Sequence, residues 1–145
     1  MYFSREIMDI INVYQLYLSK NIRQFKIGLS DYPIILYLNY NENIENPGQN
    51  EIARALKRDK ALIARVTRNL VKLGYIYVLT DQRNKSKKNL FLTEKGKEIA
   101  PQILDMIVKW EDEVLSKLAP EEVSFFRNCL SRIYLTSENL FDNLS

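Results

Sequence analysis

The feature that most constrains the fold is a change of periodicity at Gly74. Before it, residues 60–73 carry apolar side chains at spacings of three and four, which predicts an amphipathic helix that begins after Asp59 and ends at the glycine. After it, residues 75–80 are mostly β-branched, aromatic or apolar, which predicts a strand. A helix that leads directly into a strand limits the available architectures, because both elements must bury one face against the same core.

The rest of the chain predicts helices on both sides of a β-hairpin. The polar run 81–88 separates the first strand from a second apolar stretch, Leu90–Leu92, so the two strands form a hairpin with a long loop. Another loop is predicted over 39–50, which contains a Pro-Gly pair. The other helices are predicted at 4–25 with Ser4 as N-cap, at 33–38, at 49–56, at 94–118 with Thr93 as N-cap, and at 120–144. The predicted fold class is mainly α with a small β-hairpin wing.

The first and last predicted helices carry more apolar surface than one chain needs to cover. The first has two adjacent apolar stripes, so it requires two packing partners, one of which is open to another subunit. The last repeats apolar residues at alternating spacings of three and four, with one polar break, which is the pattern of a heptad seam. The residues of that seam are Val123, Phe126, Leu130, Ile133, Ser137, Leu140 and Leu144.

The positive charge is concentrated in one part of the chain. Residues 54–97 carry 13 lysines and arginines against three acids, whereas the remainder carries 8 against 15. Such segregation indicates a segment that faces a polyanion, flanked by acidic structural parts. A lysine-rich face that is merely solvated is the alternative.

Composition excludes several classes of function. The chain has no histidine, which removes the commonest general base and metal ligand, and none of its four glycines are spaced as in a phosphate-binding loop. We therefore expect no enzyme, no metal and no cofactor. The lone Cys129 fits a reducing compartment, and the first residues lack the pattern of a signal peptide. No apolar run approaches the roughly 18 residues of a membrane span, so we expect a cytoplasmic protein without a membrane partner.

The order of predicted elements between Ser30 and Thr93 is helix, helix, helix, strand, loop, strand, which is that of a winged helix-turn-helix. In that fold the second helix of the turn lies in the major groove of DNA. The helix at 60–73 has an apolar face and, opposite to it, small residues among cations, which permit close approach to base edges. An ordinary solvated helix face is the alternative. The candidate DNA-binding residues of this recognition helix are Lys60, Ala61, Ala64, Arg65, Arg68 and Lys72.

The loop of the predicted hairpin is the second candidate contact. Four cations within six positions repel one another, which folding alone does not explain, whereas a nearby duplex would neutralise them. A solvated turn is the alternative. The candidate DNA-binding residues of the wing are Asp81, Arg83, Asn84, Lys85, Lys87 and Lys88.

These stretches resemble a known family, the multiple-antibiotic-resistance-regulator (MarR) family of bacterial and archaeal repressors, and the likeness in element order extends over the whole chain. The wing followed by Leu-Thr-Glu-Lys-Gly is the more specific part, since a helix-turn-helix alone is a weak signal. The stretches that carry the resemblance are Ile52–Leu56, Asp59–Arg65, Leu70–Ile76, Asp81–Arg83 and Leu92–Gly96.

The resemblance implies a homodimer whose first and last two helices interlock, and which binds a pseudo-palindromic operator. Residues 30–93 would form the DNA-binding lobe, and residues 1–29 and 94–145 the dimerisation region. The family's wing arginine falls on Arg83, and the aspartate that braces it falls on Asp81. The chain departs from the family at four positions where polar or basic residues are usual, which puts base preference in doubt. These positions are Ala61, Leu62, Ala64 and Ser86.

Many members of the family are released from DNA by small aromatic acids or by cysteine oxidation. The aromatic and basic residues that could form such an effector pocket are equally well explained as core or interface residues. Cys129 lies among apolar residues of the last helix, which favours a buried, unreactive thiol. The candidate effector pocket consists of Tyr14, Tyr17, Arg23, Tyr37 and Tyr40.

The sequence therefore predicts a double-stranded DNA-binding transcriptional regulator that acts as a homodimer and represses. Two other classes stay open. A winged helix can instead be a protein-interaction module whose basic face binds an acidic partner. An enzyme is the weaker rival, because the sequence offers no nucleophile paired with a base.

Overall fold

The computed structural model describes residues 1–42 and 47–144 and confirms the predicted fold class. Within this part the sheet is a single hairpin of two antiparallel strands, and the other elements are helices. The elements in chain order are α1 (Phe3–Ile22), a 3-10 turn (Arg23–Phe25), α2 (Tyr32–Tyr40), α3 (Gln49–Leu56), α4 (Lys60–Leu73), β1 (Ile76–Thr80), β2 (Lys88–Leu92), α5 (Glu94–Val114) and α6 (Pro120–Leu144).

The ends of the first helix differ from the prediction. Ser4 is not its N-cap, because the helix already begins at Phe3 and the capping position falls on Tyr2, whose side chain makes no capping bond. At the other end the α-helix stops three residues early, at the 3-10 turn. Lys26 then takes the left-handed conformation, with φ of 63°, and donates its N–H to the carbonyl of Arg23.

Other boundaries also moved, three of them by two residues or more. Helix α2 extends to Tyr40 and so enters the predicted loop 39–50, of which residues 43–46 lie outside the described part. Strand β2 begins at Lys88 rather than at Leu90, because two polar residues pair with β1. Helix α5 ends at Val114, four residues before the predicted end, and is followed by a turn.

The core lies in the compact unit formed by Met1–Ile107. It collects the end of α1, helices α2 to α4, both strands and the first half of α5. Each fully buried large aliphatic side chain contributes roughly 1.5–3 kcal/mol to folding. The largest fully buried side chains of this core are Leu18, Ile22, Ile34, Ile35, Ile52, Ile63, Leu70, Ile76, Leu90 and Ile103.

The second compact unit, Val108–Ser145, contains the end of α5 and all of α6. None of the described residues of α6 is buried within the single chain. Apolar residues of the predicted heptad seam are exposed, Leu130 to 41% and Leu140 to 62%. Cys129 was expected to be buried, but it is half-buried in the single chain.

The first half of α1, which belongs to the first unit, is similarly uncovered. Ile7, Ile10 and Ile11 are exposed to 40%, 55% and 39%, whereas Leu18 and Ile22 at the other end of the helix are fully buried. The apolar stripes predicted from sequence are therefore buried only over the last turns of α1.

Candidate nucleic-acid interface

Local signals define both ends of the predicted recognition helix, α4. The carboxylate of Asp59 accepts the N–H of Leu62 at 2.8 Å, which is the capping bond expected at a helix N-terminus. At the other end Gly74 has φ of 83° and donates its N–H to the carbonyls of Leu70 and Val71. Glycine adopts this left-handed conformation without steric cost, so the helix ends where the sequence predicted.

The faces of α4 are divided as predicted. Ile63, Val66 and Leu70 are buried in the core. The cations of the opposite face point to solvent, and no described carboxylate lies within ion-pair distance of Arg65 or Arg68. The exposed candidate residues of this helix are Lys60, Ala61, Arg65, Arg68 and Lys72, and Ala64 is half-buried.

The turn between α3 and α4 is made by a lysine in an unusual conformation. Lys57 has φ of 54°, a left-handed value that favours glycine, and donates its N–H to the carbonyls of Ala53 and Arg54. The N–H of Arg58 then bonds to the carbonyl of Ala53 at 2.9 Å. These bonds close α3 within one turn and direct the chain into α4.

A side-chain contact also links α4 to the beginning of α2. Asp31 is 9% exposed, and one of its oxygens accepts the N–H of Gly28 at 2.7 Å. The other oxygen accepts the side-chain amide of Asn69, in the middle of α4, at 3.3 Å. Asp31 thus acts on the recognition helix rather than as the side-chain cap of α2 that its position suggests.

The Leu-Thr-Glu-Lys-Gly stretch joins the end of α4 to the beginning of α5. The hydroxyl of Thr93 donates to the carbonyl of Gly74 at 2.6 Å and accepts the N–H of Gly96 at 3.1 Å. The N–H of Thr93 also bonds to the carbonyl of Tyr75 at 3.0 Å. The backbone of Gly96 passes so close to Tyr75 that a Cβ atom there would lie 2.2 Å from the carbonyl oxygen.

Lys95 completes this junction. Its ammonium donates to the carbonyl of Leu73, at the end of α4, at 2.8 Å, and lies 4.5 Å from the centre of the Tyr75 ring. The hydroxyl of that tyrosine donates to the carbonyl of Phe25 at 2.7 Å. The motif that carried the resemblance therefore has a structural role, because it fixes the C-terminal end of the recognition helix.

Asp81 shapes the tip of the wing. One of its oxygens accepts the backbone N–H groups of Arg83 at 2.7 Å and of Asn84 at 3.1 Å, and the other accepts the side-chain amide of Asn89 at 3.0 Å. The bond from Asn89, followed by those two N–H groups, holds the pKa of Asp81 below its usual range. Asp81 therefore braces Arg83 through the backbone.

The wing cations have different environments. Arg83, Lys85 and Lys88 are exposed, as is Asn84, and Lys88 lies in strand β2 rather than in the predicted loop. Lys87 is half-buried, and its ammonium lies 2.6 Å from a carboxylate oxygen of Glu51 in α3.

Sequence reasoning missed two residues of this region, Gly48 and Glu51. The second oxygen of Glu51 accepts the N–H of Gly48 at 3.0 Å, just before α3. The bond to Lys87 lowers the pKa of Glu51. An acid at the third position of a helix is a known signal for this backbone bond, so that contact was predictable, whereas the partner in the wing was not.

The five residues of the candidate effector pocket lie in different surroundings. The hydroxyl of Tyr14 is 3.4 Å from that of Tyr32, and the hydroxyl of Tyr17 donates to the carbonyl of Met106 at 3.3 Å. Arg23 is exposed, and Tyr40 is 86% exposed. Tyr37 lines a cleft of about 600 Å³ that also includes Leu79, Arg83, Asn89 and Phe91 of the hairpin.

The described residues contain no group of three acids or cysteines placed to hold a metal ion. The helices of that same part of the chain are too short or too polar to cross a membrane.

Comparison with known proteins agrees with this architecture. No family model matches the chain. An uncharacterized HTH-type transcriptional regulator, YybA of Bacillus subtilis (strain 168), is 35% identical over 91 residues, which span 61% of each chain. The HTH-type transcriptional regulator BilQ of Clostridium symbiosum (strain WAL-14163) is 26% identical over 86% of this chain and 85% of its own.

Solved structures extend the likeness to the whole fold. The transcriptional regulator SlyA is 24% identical with a TM-score of 0.90, and the match covers 100% of both chains. A MarR transcriptional regulator from Methanosarcina mazei Go1 is 23% identical with a TM-score of 0.87, over 95% of this chain and 97% of its own. The chain in the MepR–DNA complex of S. aureus is 23% identical with a TM-score of 0.83, over 94% of this chain and 98% of its own. The structural neighbours are thus MarR-family regulators, which confirms the predicted resemblance at the level of the fold.

Proposed function

We propose that this chain, which has the fold of the MarR regulators, binds double-stranded DNA as a homodimer and represses transcription from a pseudo-palindromic operator. The observation that carries the proposal is the exposed basic face of α4. Arg65 and Arg68 lie opposite the buried side of a helix whose two ends and middle are held by Asp59, Gly74 and Asp31. A helix held at these points, with exposed guanidinium groups, is suited to reading base edges.

In this proposal α4 lies in the major groove. Arg65 and Arg68 read guanine edges, while Ala61 and Ala64 permit close approach of the helix. Lys60 and Lys72 at the helix ends contact phosphates. The match to the MepR–DNA complex supports this placement, because its chain has the same fold.

The wing supplies a second set of contacts. Arg83 enters the adjacent minor groove, and Asn84, Lys85 and Lys88 contact the phosphate backbone. The exposure of all four side chains supports this role.

The homodimer is proposed from the uncovered apolar faces. The first half of α1 and the whole described part of α6 expose aliphatic and aromatic side chains over several turns. Large exposed apolar patches on soluble proteins commonly mark interaction sites, and a second copy would cover these two helix faces. We assign residues 1–29 and 94–145 to dimerisation and residues 30–93 to the DNA-binding lobe. Two recognition helices would then meet half-sites about one helical turn apart, roughly 10 bp.

Release by a small aromatic ligand is also part of the proposal. Tyr14 and Tyr17 are half-buried with their hydroxyls in polar contacts, and we propose these two residues as the place where an aromatic acid binds. The other three sequence candidates, Arg23, Tyr37 and Tyr40, lie in different surroundings. Benzoate added to the protein–DNA complex should release the duplex, and Tyr17→Phe should reduce this effect. A complex that resists benzoate and other aromatic acids at millimolar concentration would contradict this part alone.

Selection of bound duplexes from a random pool tests the DNA-binding part directly. A palindromic consensus with half-sites about one helical turn apart would support a dimeric, sequence-specific regulator. Binding without any consensus would contradict sequence-specific recognition. If no duplex is enriched and an acidic protein binds the basic face instead, the protein-interaction alternative is correct. Light scattering provides the independent measurement of the dimer.

A further inference from the structure

We infer that the ion pair between Glu51 and Lys87 is a strut that sets the position of the wing relative to α3, so that Glu51 controls DNA binding without touching DNA. The inference rests on the proposed function. It concerns an acid that sequence reasoning did not select, and it gives Lys87 a different role from that of the exposed wing cations.

The contact joins two segments that are distant in sequence, the beginning of α3 and the wing. The two oxygens of Glu51 are used separately, one for the ammonium of Lys87 at 2.6 Å and one for the N–H of Gly48 at 3.0 Å. The segment before α3 also pairs with β2, through a bridge between Gly48 and Asn89. In addition, the N–H of Leu90 donates to the carbonyl of Pro47 at 2.9 Å. The strut therefore reinforces a seam between the helix-turn-helix and the hairpin.

The absence of a side chain at Gly48 makes room for this contact. A Cβ atom there would lie 2.8 Å from Glu51 Oε2 and 3.0 Å from Lys87 Cε. The two side chains thus pass directly over the glycine, and they remain 48% and 32% exposed.

The backbone of Lys87 transmits the contact to the wing tip. Its carbonyl accepts the N–H of Asp81 at 2.8 Å, and its own N–H donates to the carbonyl of Asn84 at 2.9 Å. Asp81 in turn binds the N–H of Arg83. A side chain anchored at Lys87 therefore restrains the turn that presents Arg83.

The direction in which one substitution changes the affinity for DNA separates this role from simple electrostatics. Glu51 is an anion in a region proposed to face a polyanion. If its charge only repelled DNA, or if Lys87 were needed by a phosphate, Glu51→Gln would tighten binding. If the strut positions the wing, the same substitution weakens binding. An exposed ion pair contributes up to about 1 kcal/mol, so the expected loss is about two- to fivefold in Kd.

The experiment is a double-mutant cycle measured by fluorescence anisotropy on a selected duplex. Glu51→Gln and Lys87→Met should weaken binding by similar factors, and the double variant should be no weaker than either single one. Lys87→Arg, which keeps a cation for Glu51, should bind nearly as well as the wild type. Glu42→Gln is the matched control, because it removes a carboxylate that lies 3.0 Å from Lys97 and should not weaken binding. Unchanged or tighter binding by Glu51→Gln, or factors that multiply in the double variant, would overturn the inference.

A second measurement needs no DNA, which keeps failure of the strut distinguishable from failure of the proposed function. Amide hydrogen exchange at Asp81 and Lys87, whose N–H groups are bonded within the wing, should be faster in Glu51→Gln than in wild type and in Glu42→Gln. Equal exchange in all three proteins would refute the strut even if the duplex binds. Faster exchange in a protein that binds no duplex would support the strut and refute the proposed function. Matching urea midpoints would show that the variants are folded.

Discussion

Replacing Gly96 by alanine tests the packing of the junction between α4 and α5. An added Cβ atom would lie 2.2 Å from the carbonyl oxygen of Tyr75 and 3.0 Å from a methyl carbon of Leu92, whereas ordinary van der Waals contact begins at 3.4 Å. The nearer atom belongs to the backbone, so no side-chain rotation can relieve the clash. Either α5 or the residues that follow α4 must move.

The change in the free energy of unfolding combines one stabilising effect and two destabilising ones. Alanine is better than glycine within a helix by roughly 0.5–1 kcal/mol, which would stabilise the variant. Overpacking typically costs about 1–3 kcal/mol. Moving the carbonyl of Tyr75 also weakens the 3.0 Å bond from the N–H of Thr93, a loss of about 1 kcal/mol. The expected net loss in the free energy of unfolding is about 1–3 kcal/mol, or about 3–10 °C in Tm for a chain of this size.

Urea denaturation followed by far-UV circular dichroism measures this loss. The protein concentration must be the same throughout, because the stability of the proposed dimer would depend on it. Gly28→Ala is the matched control, since its nearest neighbour would be an oxygen of Asp31 at 3.8 Å, and it should change the free energy of unfolding by less than about 0.5 kcal/mol. If Gly96→Ala is as stable as the wild type or more stable, the close approach to Tyr75 does not constrain the junction.

Three further predictions concern α4 and the wing. Thr67→Val should raise the free energy of unfolding by about 1 kcal/mol, because the buried Thr67 hydroxyl has no hydrogen-bond partner among the described residues; a lower urea midpoint would contradict this. The pKa of Asp81 is depressed in the folded state, so its contribution to stability is complete above its ordinary value of 3.8 and is lost as the pH falls through the folded value. The amide shifts of Arg83 and Asn84 should therefore titrate together with a midpoint below 3.8, and a midpoint at or above that value would exclude the bracing bonds. Arg68→Ala should cost about 1–3 kcal/mol on a selected duplex and relax specificity at one base, whereas Arg83→Ala should weaken binding to all duplexes and reduce the salt slope by about 1. Anisotropy titrations at several salt concentrations measure both effects, and unchanged binding in both would show that this face does not bind DNA.

Sequence reasoning succeeded where both ends of an element carry their own signals. Helix α4 was predicted with its observed bounds, because Asp59 and Gly74 act within a few residues of the chain. The apolar periodicity between them identified the buried face correctly. Such short-range effects need no knowledge of the tertiary structure.

The prediction failed where distant residues decide the local structure. Asn89 looks like a loop residue, yet it is 4% exposed within β2, because it pairs with Leu79 and donates to Asp81. The bond between Glu51 and Lys87 joins residues on two separate elements, and neither residue has a local pattern that indicates the other. The wing charges were therefore predictable as a group, but their division into exposed cations and an anchored one was not.

The contrast between the junction and the wing tip has a consequence for changes in chain length. Adding one residue to a helix turns everything beyond it by about 100° and advances it by about 1.5 Å. One residue inserted between Thr93 and Gly96 would therefore move the N–H of Gly96 away from the hydroxyl of Thr93, which also bonds to the carbonyl of Gly74. An insertion beside the exposed Lys85 would change the wing turn that the bond between Asn84 and Lys87 closes, and would leave the junction as it is. A change of length in the wing should therefore cost the fold less than the same change at the junction.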